Sequence, residues 1–203
     1  MDLAPCFCYP PPMNLHLKQR MTVEEFHAWC EARRAALAHD EPKWELFDGV
    51  AEMQESERWI HVQTKLSIML AIRSAIARAG FPLETGFDGL GVRISPKESY
   101  VPEVVVFPAG EIGDDDRYAP NPLIVVEVLS PSTANKDLVI KAAGYGRVPS
   151  ILHYLVADPD AREIPHFTRE GDKLVEPASA STTGVLRLDP PRLEIALADC
   201  FSK

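Results

Sequence analysis

Six aliphatic residues and one carboxylate make up residues 123–129, which lie between Pro122 and the pair Ser130-Pro131. A continuous apolar run of this length predicts a strand that is buried on both faces. The carboxylate is Glu127, and an ionised carboxylate in such a strand is costly unless a cation, a metal ion or a proton compensates. The pattern therefore predicts a charged partner for Glu127.

The polar pattern changes directly after this strand. Residues 130–133 are Ser-Pro-Ser-Thr, a sequence that is typical of turns and helix caps. Asp137, Lys141 and Tyr145 then recur every four residues, and this spacing predicts one face of a helix. A strand-borne carboxylate followed by a helix-borne lysine is thus a candidate for chemistry.

Two helices are predicted nearer the N-terminus. The first begins after Thr22, which has capping-box spacing to Glu25, and runs to about residue 37. The second spans roughly residues 57–79 and carries His61 in its first turns. An isolated histidine at such a position is more often a packing or capping residue than a ligand. We expect the second helix to pack through Leu66, Met69, Leu70, Arg73 and Ile76.

The other predicted elements are strands. Residues 44–53 have the pattern of a hairpin with an Asp48-Gly49 turn, and Glu45 lies in its first strand. Residues 100–107 predict a strand that carries a second embedded carboxylate, Glu103. We also expect strands at residues 91–95 and 150–157 and a small C-terminal β meander at residues 163–167, 173–175, 185–188 and 193–195.

Length and composition indicate one globular unit. The chain has 203 residues, of which 46% are hydrophobic, and this is enough for a substantial core. The prolines at positions 10–12 cannot continue a helix and favour an extended conformation. We therefore expect residues 1–20 to be a disordered tail and residues 21–203 to form a single domain.

Charge and cysteine content narrow the class of protein. The formal net charge is −9, which argues against a protein that coats nucleic acid but allows an enzyme with a local basic groove. Four scattered cysteines do not make a disulfide framework, so we expect the protein in the cytoplasm. No apolar run approaches membrane-spanning length, so we expect no membrane partner.

The two embedded carboxylates and the lysine fit a divalent-metal site. Glu103 and Glu127 would be the metal ligands if their strands pair, and Lys141 would orient water or stabilise developing charge. Glu45 or His61 could complete such a site from the preceding hairpin and helix. The alternative is that Glu127 and Lys141 form a buried ion pair while Glu103 faces solvent from an edge strand.

The motifs of residues 21–167 resemble those of the Uma-two family of restriction endonucleases, which belongs to the PD-(D/E)XK nuclease superfamily. The resemblance rests on Trp44-Glu45-Leu46-Phe47-Asp48-Gly49, His61, Val101-Pro102-Glu103-Val104, Val126-Glu127-Val128-Leu129-Ser130-Pro131-Ser132-Thr133, Asp137, Lys141, Tyr145 and Tyr154-Leu155-Val156-Ala157-Asp158-Pro159.

The resemblance implies an α/β (α+β) fold, a restriction-endonuclease-like core with a mixed β-sheet flanked by helices. It also implies Mg²⁺ (or Mn²⁺) as cofactor and hydrolysis of DNA phosphodiester bonds. Glu103 stands where the family usually has an aspartate, and Glu127 is the second acid. Leu129 occupies the usual lysine position, so Lys141 from the next helix would replace that lysine.

Two functions remain open on these grounds. One is a metal-dependent endonuclease whose catalytic residues are Glu103, Glu127, Lys141, Glu45 and His61; its acidic charge favours a homodimer on DNA. The other is a catalytically inactive nuclease-like fold that acts as a binding or assembly module. Metal binding through Glu103 and Glu127 distinguishes the two.

Overall fold

The computed structural model describes residues 20–37, 43–54, 56–130, 136–175 and 183–201. Residues 1–19 of the predicted tail lie outside the described residues. The helices are α1 (Val23–Leu37), α2 (Trp59–Ala79), α3 (Ala142–Gly146) and α4 (Leu197–Cys200), and a π-helical turn (Lys136–Lys141) leads into α3. The strands are β1 (Trp44–Phe47), β2 (Val50–Met53), β3 (Leu83–Phe87), β4 (Val92–Ser95), β5 (Glu98–Tyr100), β6 (Val104–Pro108), β7 (Ile124–Val128), β8 (His153–Ala157), β9 (His166–Glu170), β10 (Lys173–Val175), β11 (Val185–Leu188) and β12 (Leu193–Ala196).

The described strands form three sheets. The largest has the order β10-β9-β8-β7-β6-β3, and its β7–β8 pair is parallel while its other pairs are antiparallel. The second has the order β2-β1-β5-β4, and β11 pairs with β12 in the third. A mixed sheet with helices packed against it is the predicted fold class, which is thereby confirmed.

The central strand β7 is buried along its whole length, as its apolar run predicts. Side chains alternate between the two faces of a strand. Val126 and Val128 pack in the core that contains α2, whereas Val125 packs with Tyr145 and Tyr154 on the other face. Glu127 has the same parity as Val125, so its carboxylate lies on the α3 side of the sheet.

Two local predictions at the N-terminal end are confirmed. The backbone N–H of Glu25 donates to Thr22 Oγ1 at 3.2 Å, and the backbone N–H of Thr22 donates to Glu25 Oε2 at 2.8 Å. This is the reciprocal capping box. Between β1 and β2, Asp48 and Gly49 have φ angles of 45° and 80°, which the tight hairpin turn requires.

The prediction of one strand over residues 100–107 is wrong. Tyr100 ends β5 in the four-stranded sheet, and Val104 begins β6 in the six-stranded sheet. Pro102 has no N–H to donate to a ladder, so the chain leaves one sheet here and enters the other. Glu103 lies in this break rather than inside a strand, and its side chain does not follow the alternation of β6.

The predicted packing face of α2 is also largely wrong. Leu66 and Leu70 are exposed by 39% and 55%, whereas the buried positions include His61 and Lys65. The buried face is itself apolar along most of the helix, through Ile68, Ala71, Ile72 and Ala75, and it continues to polar residues that form ion pairs at the N-terminal end. Of the expected face, Ile76 is buried.

The predicted C-terminal strands are divided between two places. β9 and β10 extend the central sheet beyond β8, and β11–β12 form a separate ribbon that packs against α2. Strand β3, which the sequence did not predict, forms the opposite edge of the central sheet.

Candidate active site

Two clusters of charged side chains lie at the carboxyl end of β7. We name the first the β7 group; it consists of Glu45, Glu127, Lys141 and Tyr145. Lys141 Nζ is 3.0 Å from Glu127 Oε1 and 3.1 Å from Glu45 Oε1. The Tyr145 hydroxyl donates to Glu127 Oε1 at 2.7 Å. The three charged side chains are only 4–6% exposed, so Lys141 supplies the cation that a buried Glu127 requires.

Neighbouring elements fix the β7 group. Lys141 ends the π-helical turn and Tyr145 follows on α3, so both side chains reach the same carboxylate. A Cβ on Gly144 would lie 2.5 Å from the Tyr100 ring, so glycine is needed for this close approach of α3 to β5. Glu45 is held by a hydrogen bond of 2.8 Å from the backbone N–H of Val101. The side chain of Asp137 lies outside the described part of the structure.

Burial keeps the tyrosine of this group protonated. Desolvation, together with the negative charge of Glu127, raises the pKa of Tyr145 well above its ordinary value. The hydroxyl therefore remains a donor to Glu127 at neutral pH. The β7 group thus has two carboxylates, one ammonium and one phenol in mutual contact, shielded from solvent.

The second cluster, the α2 group, consists of Glu57, His61, Lys65, Asp88 and Glu103. Lys65 Nζ lies 2.6 Å from Glu57 Oε2, 3.2 Å from Glu103 Oε2 and 3.4 Å from Asp88 Oδ2. His61 Nε2 lies 3.8 Å from Glu103 Oε1. Lys65 and His61 are buried, but the three carboxylates are 16–30% exposed. The α2 group is therefore open to solvent on its carboxylate side.

The carboxylates of the α2 group differ in their pKa values. Burial raises the pKa of Glu103, and the nearby Lys65 ammonium offsets this only in part. Burial also acts to raise the pKa of Glu57, but the hydrogen bond from Lys65 and the contact with His61 outweigh it and leave that pKa below its ordinary value. Burial acts to lower the pKa of Lys65, yet attraction to Glu103 and Glu57 raises it overall. Lys65 therefore remains an ammonium at neutral pH.

The hydrogen bonds of His61 bear on what this group can bind. Its Nε2 is 2.6 Å from the backbone carbonyl of Val128 and therefore donates to it, because a carbonyl can only accept. A neutral imidazole has one N–H, which leaves a lone pair on Nδ1. Nδ1 lies 3.0 Å from Glu57 Oε2. The Nδ1 lone pair and the Glu57 carboxylate oxygen are both acceptors, so a proton or a cation must lie between them.

A divalent cation fits this part of the α2 group. Glu57, His61 and Glu103 each offer one ligand atom, and the three atoms lie within 4.8 Å of one another. Two carboxylates and an imidazole suit Mn²⁺ or Zn²⁺, whereas Mg²⁺ prefers oxygen ligands alone. The donor set therefore allows a divalent metal.

The predicted site residues are thus divided between the two clusters. Glu127, Lys141 and Glu45 meet in the β7 group, and Glu103 and His61 meet in the α2 group. The prediction that Glu103 and Glu127 hold one metal ion together stays a prediction. The two clusters adjoin because His61 contacts the carbonyl of Val128, directly after Glu127.

Three members of the α2 group, Glu57, Lys65 and Asp88, are not among the predicted site residues. Glu57 and Lys65 lie four residues before and after His61 at the start of α2, and this spacing was a readable signal for one shared face. Asp88 left no such signal, because it follows β3, a strand that the sequence did not predict.

Comparison with known proteins finds a family match and similar solved structures. Residues 23–198 match the model of the Uma2 family, described as "Putative restriction endonuclease". A crystal structure of a "putative nuclease belonging to DUF820" from Anabaena variabilis ATCC 29413 has a TM-score of 0.67 and 15% sequence identity. The match covers 89% of this chain and 97% of that one, and at this identity it shows a shared fold.

No curated protein matches the chain. Within the described residues, no helix has both the length and the apolar character needed to cross a bilayer.

The family match, which spans most of the chain, and the nuclease-like fold support a nuclease role, for which nucleic acid is the implied substrate. The chain belongs to the Uma2 family of restriction-endonuclease-like proteins.

Proposed function

We propose that this protein is a divalent-metal-dependent endonuclease that hydrolyses DNA phosphodiester bonds. One observation carries the proposal: Glu57, His61 and Glu103 present three ligand atoms within 4.8 Å of one another, next to the buried Glu127–Lys141 pair. Solvent-accessible metal ligands beside a buried acid and ammonium are the components that metal-assisted phosphodiester hydrolysis requires.

In this proposal Glu103, Glu57 and His61 hold the metal ion, with Mn²⁺ as a better fit than Mg²⁺ for a site that includes imidazole. Once bound, such an ion polarises the phosphorus–oxygen bond and makes bound water more acidic. Glu127 is the further predicted ligand. Its Oε1 accepts from Lys141 and Tyr145.

Lys141 and Glu45 have supporting roles in the proposed reaction. The Lys141 ammonium lies between two carboxylates, and its charge would help to stabilise the negative charge that develops on the phosphoryl group. Glu45 positions Lys141 and ties it to the backbone of Val101. We also propose that the protein is cytoplasmic and forms a homodimer. The reason for the dimer is that an acidic monomer binds DNA weakly, and light scattering would measure the mass of the particle.

Calorimetric titration with Mn²⁺, followed by plasmid nicking on the same samples, tests the proposal. We expect the wild type to bind Mn²⁺ and to nick DNA, and we expect Glu103→Gln to lose both properties. Glu127→Gln should lose nicking, and a simultaneous loss of metal binding would make it a ligand as well. Glu194→Gln is the matched control because Glu194 is an exposed, ion-paired glutamate on the separate ribbon. Folded wild type that binds no divalent ion would refute the proposal.

A second candidate is a nuclease-like fold that binds partners without cleaving DNA. The observation that favours it is charge compensation: Lys65 and Lys141 already neutralise carboxylates of both groups without a metal ion. Under this alternative, Mn²⁺ would not bind, and the Glu103→Gln variant would not differ from the wild type in any binding measurement. The titration above therefore decides between the two functions.

A further inference from the structure

A cleft of about 560 Å³ opens beside the two charged groups. Its walls come from α1, from the first residues of β1, from the loop before β4 and from the loop that ends at Tyr118. Ligand clefts in proteins span roughly 300–1,000 Å³, so this one has room for a small organic group such as a nucleotide unit. Neither of the charged groups described above accounts for it.

The wall of the cleft is cationic although the protein is acidic. Among the described residues that line it, Arg34, Lys43 and Arg117 are positive and Asp116 is negative, while the whole chain carries −9. The Arg117 guanidinium pairs with Glu31 at 2.6 Å on an exposed surface. Exposed ion pairs of this kind are weak, so such a cation can exchange its partner for a phosphate.

The same wall contains aromatic rings, since Tyr118 and Trp44 both line the cleft. Cations together with aromatic faces are the features by which proteins bind single-stranded nucleic acids.

The cleft adjoins the candidate active site. Lys43 lines the cleft and forms an ion pair with Asp88 of the α2 group. Val101 lines it as well, and its N–H donates to Glu45 of the β7 group. Because the β7 group is shielded from solvent, a strand that occupies the cleft would lead to the open α2 group.

We infer that this cleft binds a single-stranded segment of DNA next to the scissile phosphate. Phosphates would contact Arg34, Lys43 and Arg117, and unstacked bases would lie against the aromatic wall. A base in an intact duplex is stacked on both faces and cannot use such a wall. The inference names the substrate class of the proposed nuclease and rests on that proposal for the position of the scissile phosphate.

Fluorescence anisotropy with a labelled oligo-dT strand, in EDTA so that nothing is cleaved, tests the inference. We expect the wild type to bind this strand more tightly than a duplex of equal length. Three phosphate contacts predict a slope of about −2 for log affinity against log salt, at roughly −0.7 per contact. Arg117→Gln should reduce the slope by about 0.7 and weaken binding about fivefold near 0.1 M salt.

Two variants serve as controls. Arg187→Gln removes the same charge from an exposed arginine that also pairs with a glutamate, but on the separate ribbon, and it should leave the affinity unchanged. Tyr118→Leu removes an aromatic ring that lines the cleft, and it should weaken strand binding without changing the salt slope. Equal weakening by Arg117→Gln and Arg187→Gln would overturn the inference, because non-specific electrostatics alone would then explain binding.

The outcomes separate this inference from the proposed function. Preference for duplex, or competition by dTMP as strong as that by the whole strand, would overturn the strand-binding cleft even if plasmid nicking succeeds. Conversely, strand binding that depends on Arg117 in a protein that never nicks DNA would support the cleft and refute the nuclease.

Discussion

The two charged groups each combine glutamates with a buried lysine but differ in their access to water. In the β7 group the side chains of Glu45, Glu127 and Lys141 are 4–6% exposed. In the α2 group a buried lysine meets carboxylates that are 16–30% exposed. A buried charge that loses its partner has no solvent to replace it, whereas a half-exposed carboxylate can exchange a lysine for water or a metal ion. The β7 group is therefore the more sensitive to the loss of one partner, and the α2 group has the carboxylates that water or an ion can reach.

The largest expected effect comes from removing the cation of the closed group. Lys141→Met leaves Glu45 and Glu127 buried without their common partner, and breaking a buried pair in this way costs roughly 3–5 kcal/mol. Lys65→Met should cost less, about 1–2 kcal/mol, because the carboxylates around Lys65 stay partly hydrated. Urea unfolding at pH 7 measures both free energies. Equal losses would show that exposure does not distinguish the groups.

A pair of histidines also makes the free energy of unfolding depend on pH. This contribution must be known before acid titration can compare the stability of the two charged groups. His153 Nε2 donates to the carbonyl of Pro190 at 2.7 Å, so its Nδ1 accepts from His166 Nε2 at 3.0 Å. Burial, with a smaller effect of the neighbouring His153 ring, lowers the pKa of His166 from 6.5 to about 4. Burial lowers the pKa of His153 as well, and Asp189 and the Pro190 carbonyl offset this in part. Both rings are therefore neutral in the folded protein at pH 7.

The sign of the pH effect follows from these pKa values. Between pH 6.5 and about 4 the unfolded chain binds more protons than the folded one, so the free energy of unfolding falls as the pH falls. For His166 the loss is at most about 3 kcal/mol. Urea unfolding at pH 7 and pH 4.5 should give a smaller pH effect for His166→Gln than for the wild type. If the variant loses as much as the wild type, carboxylates outside the histidine pair dominate acid unfolding.

Metal binding provides the next test, because the open group alone is expected to respond. At a Mn²⁺ concentration about 100 times its Kd, a site confined to the folded state adds about 2.7 kcal/mol to the free energy of unfolding. We expect this gain in the wild type and in Glu45→Gln, but not in His61→Gln. Thermal unfolding with and without Mn²⁺ measures it. A gain that disappears in Glu45→Gln but persists in His61→Gln would place the ion in the β7 group instead.

The same contrast explains which parts of the site could be read from the sequence. Glu127 and Lys141 left local signals, namely a carboxylate inside an apolar run and a lysine on the following helix. Glu103 was predicted as a site residue, but the residues around it were not. The reason is that the chain changes sheets at Pro102, whereas the apolar pattern of the sequence continues through that break and predicted one strand. Lys65 was missed since a lysine on a helix is ordinarily assigned to solvent, and only the carboxylates from distant elements explain its burial.

The fold was more predictable than the site for a related reason. The capping box at Thr22, the Asp48-Gly49 turn and the apolar run of β7 each depend on residues close in sequence. The face on which α2 packs was harder to choose, because this helix carries apolar residues on more than one side. Ile68 and Ile72 lie in the core, whereas Leu66 and Leu70 are exposed. The same buried face includes Lys65, whose ion pairs with Glu103 and Asp88 join residues distant in sequence.

The smallest expected effect concerns the lysine that the open group already contains. Lys65 Nζ contacts the Glu57 and Glu103 carboxylates, so its positive charge opposes a divalent ion at the same oxygens. Lys65→Met should therefore tighten Mn²⁺ binding about tenfold, equivalent to about 1.4 kcal/mol. Lys43→Met is the matched control, since Lys43 pairs with Asp88 at the edge of the group, and its effect should be smaller. Calorimetry on both variants measures the change, and weaker Mn²⁺ binding by Lys65→Met would show that Lys65 positions the two carboxylates rather than competing with the ion.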